Sequence, residues 1–194
     1  MKCYAKVEDE VKNLVSVGIG TDTDFYDSIG MTEMDVEQGY DGQWYVAGYA
    51  PTQPLSELRT AALSRIDAAT SAAILAGFEY EVETGEGKEV LHFSYLADDQ
   101  QNFADTANGA ILAMQGVEGL PTGVKWNGWR NHTAEYKGDL ERLVLDVPSF
   151  LMLYTQGALV HKATQMEIGG QRKAAIEAAE SVEEINALLE GWGI

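Results

Sequence analysis

The chain has 194 residues, 45% of them hydrophobic and 9% aromatic, which is enough apolar mass for a packed core and argues against wholesale disorder. It carries 13 Lys and Arg against 31 Asp and Glu, a formal net charge of -18. Clustered cations of the kind that hold phosphate are therefore scarce, and neither nucleic acid nor an anionic membrane is the expected partner. The single cysteine, Cys3, excludes an intrachain disulfide and a Cys-rich zinc centre, and points to a reducing compartment.

Residues 1–50 read as a small β module. Residues 2–7 and 11–17 are short and β-branched with a polar break, which predicts a hairpin, and Cys3 alternates within it as a packing residue. Gly18 to Asp24 reads as a loop. Residues 34–38 form another strand, and Asp41-Gly42 is a turn dipeptide before Trp44-Tyr45-Val46. The sequence thus predicts a hairpin tip with Tyr40, Trp44 and Tyr45 exposed around it. Pro51-Thr-Gln-Pro54 reads as a linker, which leaves 55–194 as a second, helix-rich domain.

From residue 55 the period changes to three or four. Leu55, Leu58, Ala62, Ile66, Ala69 and Ala73 form one narrow, alanine-rich helix face that ends near Gly77, and they are the candidate oligomer face. Residues 78–82 and 90–95 alternate around Gly85-Glu-Gly87, the clearest hairpin in the chain. Asp98 or Asp99 then caps a helix to about Met114, which Gly116, Gly119 and Pro121 end. Residues 124–126 begin a strand and 133–136 read as its return. The turn falls either at Asn127-Gly128 or around Arg130-Asn131-His132. Asp139 reads as the cap of a long helix with Leu140, Leu143, Val144, Val147 and Leu151 on one face. Pro148 is expected to kink that helix and Gly169-Gly170 to interrupt it. Ser181-Val-Glu-Glu184 has capping-box spacing for a last helix.

Glu8-Asp9-Glu10 comes too early for the apolar part of a secretion signal. The most apolar stretch, 147–160, contains Pro148, Gln156 and Gly157 and falls short of the roughly 20 apolar residues of a membrane span. Neither secretion nor membrane insertion is expected.

Motifs for chemistry are missing. His92, His132 and His161 are scattered without ligand spacing and read as structural. Asp22, Asp24 and Asp27 do not fit a calcium loop, because Tyr26 and Asp27 stand where it needs an acidic residue and a glycine. Gly18-Ile-Gly20 lacks the third glycine of a dinucleotide loop. No catalytic residue, metal or cofactor is nominated, so an enzyme is not expected. Trp126 and Trp129 flank Asn127-Gly128 and read as either core anchors or a binding platform.

Four stretches carry a family resemblance. They are Leu58-Arg-Thr-Ala-Ala-Leu-Ser-Arg-Ile66 running to Gly77-Phe78-Glu-Tyr80, Phe93-Ser-Tyr95 with the acidic helix start after it, Val124-Lys-Trp126, and Arg172-Lys-Ala-Ala-Ile-Glu-Ala-Ala179 with Ser181-Val-Glu-Glu-Ile185. Together they resemble a bacteriophage tail-associated family that holds a helical domain of unknown function and occurs near tail-fibre and baseplate proteins. Asp41-Gly-Gln-Trp-Tyr45 with Gly48 is similar to the β segment that precedes such domains. The resemblance places the disputed turn at Asn131 and supplies no catalytic residues. Residues 83–88, Trp129 and Pro148 depart from the family pattern.

The expectation is therefore an α+β protein: a small N-terminal antiparallel β module, then a mainly helical domain with short hairpins and a long C-terminal helix. The resemblance implies a phage or prophage tail protein that acts by binding tail or tail-fibre proteins, in the virion tail or in the host cytoplasm during assembly. Its rivals are a non-virion tail-fibre chaperone and a module that binds a host receptor or glycan through Tyr40, Trp44, Tyr45, Trp126 and Trp129. A homo-oligomer is consistent with the symmetry of tail appendages.

Overall fold

The computed structural model describes residues 1–120 and 122–194, so the expected helix-ending role of Pro121 lies outside the described residues. The architecture is α+β. The chain forms two compact units, Met1–Thr60 with Glu180–Asn186, and Ala61–Ala179 with Ala187–Ile194.

In the first unit β1 (Lys2–Asp9), β2 (Leu14–Val17), β3 (Thr32–Gln38) and β4 (Trp44–Val46) close into a four-stranded antiparallel barrel in the order β1-β2-β4-β3. Alternation drives it: Ala5, Val15 and Val36 are buried inside, with Cys3, Val17, Met34, Trp44 and Val46 packed against them. Closure gives each of the four strands two ladder partners. Residues 18–24 do more than form a loop. Asp22 accepts from the Phe25 N–H at 3.0 Å and caps a short helix, α1 (Thr23–Ser28). Gly18 and Gly20 are small because the Tyr26 ring lies against both; a Cβ on Gly18 would stand 2.6 Å from that ring.

After residues 51–54, which have no regular structure, comes α2 (Leu55–Leu75). It buries Leu58, Ala62 and Ile66 and half-buries Leu55, Ala69 and Ala73. The face read as an oligomer surface is thus already used inside the single chain at Ala62 and Ile66, both 0% exposed.

The second unit is built on an antiparallel sheet in chain order, β5 (Phe78–Thr84), β6 (Gly87–Phe93), β7 (Gly123–Arg130) and β8 (Asp139–Asp146). Phe78, Val82, Leu91, Phe93, Leu143 and Leu145 point to one core, shared with Phe103, Ala107 and Ala110 of α3 (Ala97–Met114) and with Phe150 and Leu153. Aromatic rings knit it: Phe103 lies 4.3 Å from Trp126 and 6.0 Å from Phe150. Asp99 is the third residue of α3 and reaches back to the Leu96 N–H at 3.1 Å.

Two expectations are corrected here, and of the two turns left open the structure has the one at Asn131. β7 runs straight through Asn127-Gly128 to Arg130, and the turn starts at Asn131, in the left-handed region at φ 56°. Residues 133–136 belong to the connecting loop; the return strand is β8. The helix read from Asp139 is therefore strand up to Asp146. Leu143, Leu145 and Val147 alternate inward, while Leu140 and Val144 are exposed. The Leu-rich spacing satisfies both periods, and pairing with β7 decides between them.

Helix then runs unbroken over 147–178: α4 (Val147–Met152), a π-helical segment (Leu153–Ala158) and α5 (Leu159–Ala178). Pro148 does not kink it. The residue sits in the first turn, where its missing N–H has no helical partner to lose, and Asp146 caps that turn by accepting from the Ser149 N–H at 2.8 Å. Gly169 does not interrupt it either. The position is small because Thr70 of α2 lies directly against it. The last helix, α6 (Val182–Trp192), is capped as the spacing predicts: Ser181 Oγ accepts from the Glu184 N–H at 3.1 Å.

Candidate functional site

The sheet of the second unit has a seam. β7 pairs with β8 along its whole length, but its ladder with β6 consists of His92 opposite Trp129. Beyond His92, β6 ends and the chain leaves through Ser94 into α3. A cleft of about 730 Å³ occupies the gap. Its lining includes Ser94, Asp99 and Asn102 on one side and Lys125, Asn127 and Trp129 of β7 on the other, with Arg142 of β8.

The five aromatics nominated from the sequence meet different fates. In the first unit Tyr40 is exposed and Trp44 half-buried. Tyr45 is only 6% exposed, with its hydroxyl donating to Asp41 Oδ2 at 2.7 Å. That bond pushes the Tyr45 phenol up to about 12 and holds the Asp41 carboxyl below its usual range. The hairpin tip is thus a braced turn with one aromatic outward, not an aromatic patch. In the second unit Trp126 and Trp129 do not pair across a turn. They are three apart on one strand, so they project to opposite faces. Trp126 anchors the core against Phe103 and Phe150. Trp129 lies on the other face, where Lys137 Nζ stands 4.9 Å over its ring.

Sequence reasoning missed what covers that outer face. The β7–β8 loop folds back on it. The loop is internally braced: the Tyr136 hydroxyl donates to Asp139 Oδ1 at 2.7 Å, and Asn131 Nδ2 donates to Asp139 Oδ2 at 3.0 Å. Lys137 lands on Trp129, and His132 stacks on His92 with ring centroids 3.5 Å apart and planes 6° from parallel. His92 Nδ1 lies 3.0 Å from Glu79 Oε1 of β5. Glu79 faces His92 in the hairpin register, so that pair was legible once the hairpin was drawn. His132 gave no signal, because only the fold-back of the loop brings it there.

The electrostatics of this cluster follow from burial. His92 is 8% exposed, and loss of water holds its imidazole below the usual range; Glu79 pulls the other way, and His132 and His161 add to the lowering. His161 has a structural role, with Nε2 donating to the Ile74 carbonyl at 3.1 Å and its ring stacked on Phe78. At the end of the sheet Arg130 bridges three strands, bonding Glu89 of β6 and Glu141 of β8. Among the described residues no helix is long and apolar enough to cross a membrane.

The sequence model of a family described as a domain of unknown function, DUF4376, matches residues 57–188. That span is well over half of the chain, and the chain belongs to this family. No curated protein and no solved structure matches it.

Proposed function

We propose that this DUF4376 chain is a phage tail-associated accessory protein that acts by binding another protein, with the cleft beside β7 as its docking surface. One observation carries the binding reading: on its β6 side, where it borders the cleft, β7 has no ladder partner over Lys125 to Asn127. An open strand edge accepts an extended segment by main-chain hydrogen bonds, and flanking side chains supply selectivity. Lys125 and Arg142 outnumber Asp99 among the charged residues of that cleft, in a chain of net charge -18, so a segment carrying acidic residues suits it best. The tail context rests on the sequence likeness of residues 58–80, 93–95, 124–126 and 172–185.

The glycan reading has less support. It needs several aromatics exposed together, and of the five only Tyr40 is exposed outright, while Tyr45 is buried and Trp126 sits in the core.

A photo-crosslinking residue placed at Asn127, during co-expression with the phage tail and tail-fibre proteins, tests the proposal. Expected is a crosslink to one of them that is absent when the same group stands at Val11, an exposed position of the first unit. Failure to crosslink any tail or tail-fibre protein from position 127 would overturn it.

A further inference from the structure

We propose that Glu79, His92 and His132 form a binding site for a divalent transition-metal ion of the zinc type. They come from three separate elements: β5, β6 and the β7–β8 loop. One ligand atom from each lies within 4.8 Å of the other two. Tetrahedral zinc, with bonds of about 2.0–2.1 Å, wants its ligand atoms about 3.4 Å apart. The Glu79–His92 pair stands at 3.0 Å, and His132 joins it once its ring turns out of the parallel stack with His92, so that both in-plane lone pairs meet at one point. Two imidazoles and one carboxylate are a donor set suited to zinc, with a fourth position left for water or a small ligand. A second cleft of about 550 Å³, whose lining includes Glu79, His92 and Thr164, brings solvent to two of the three ligands.

The location gives the ion a task. Because the β6–β7 ladder is reduced to His92 opposite Trp129, the sheet is weakly joined where the metal would sit. An ion held by Glu79, His92 and His132 staples the β5–β6 hairpin to the loop that follows β7. It therefore links the outer face to the rim of the docking cleft, which shares Trp129. This inference does not depend on the tail reading.

The test uses the whole chain, stripped with chelator and then titrated with Zn²⁺ by calorimetry and with Co²⁺ by visible absorption. Expected is one Zn²⁺ per chain, a Co²⁺ spectrum of low coordination number, and a rise in the thermal midpoint on loading. His132→Ala removes a half-buried loop residue and should weaken binding by roughly tenfold or more with the circular dichroism unchanged. Glu79→Gln, at a largely exposed side chain, should weaken binding in the same direction without a risk to folding. Failure to saturate at one ion per chain would overturn the site. So would binding that folded His132→Ala and Glu79→Gln proteins retain at full strength.

Discussion

His92 shows at the scale of one residue how burial and chemistry oppose each other. The imidazole is kept neutral by loss of water, and its folded pKa lies below the ordinary 6.5. The unfolded chain therefore binds a proton that the native one refuses, and stability is lost as pH falls from about 6.5 through the lower folded value. With chelator present, urea unfolding midpoints should be level near pH 7.5 and decline toward pH 5. The decline should flatten in His92→Gln; an unchanged slope in that variant would assign the loss to other groups. Gly77 is a second position where a single residue decides local structure. It holds φ at 86°, where L side chains are strained, and a Cβ there would meet the Phe93 carbonyl and stand 2.7 Å from His92 Nε2. Gly77→Ala should cost roughly 2–4 kcal/mol, combining the left-handed penalty with overpacking, as read by urea denaturation. The Tyr45–Asp41 bond, by contrast, turns what the sequence offers as an exposed aromatic into a brace.

Elements were legible where one period ruled out the other. The barrel strands, α2, the β5–β6 hairpin and the cap at Ser181 all follow from alternation, three-four spacing or capping chemistry. β8 was not, because the leucine and valine spacing of residues 139–147 fits a helix as well as a strand, and its partner is chosen by the register with β7. Pro148 held the missing clue, since a proline in the first turn marks a helix start as naturally as a proline in mid-helix marks a kink. The alanine-rich face of α2 shows the same ambiguity in packing. Its spacing predicts a buried stripe but not what buries it. Ala62 and Ile66 are fully buried within the chain, so Ile66→Ala should behave as a core deletion. The expected loss is about 2–5 kcal/mol of unfolding free energy in a denaturation measured at several protein concentrations, with no dependence on concentration. A concentration-dependent midpoint would return the face to an interface.

Over the whole molecule, the fold class could be read from the sequence and the candidate sites could not. Composition predicted a core and the changing hydrophobic period an α+β chain, and the structure has both, in two compact units. The cleft exists because β6 ends while β7 continues, an offset of register between two strands of similar length that no local pattern records. The His92–His132 stack exists because a loop folds back across the sheet, joining residues far apart in the chain. The docking reading also draws on charge: a net -18 keeps like copies apart, while Lys125 and Arg142 mark one place where an acidic segment is attracted.

The claim that this chain serves a phage tail is tested most directly by quantitative mass spectrometry of purified particles, compared with the lysate they came from. A fixed, small copy number per particle is expected, in register with the symmetry of the tail. Abundant protein in the lysate with none in the particles would contradict it.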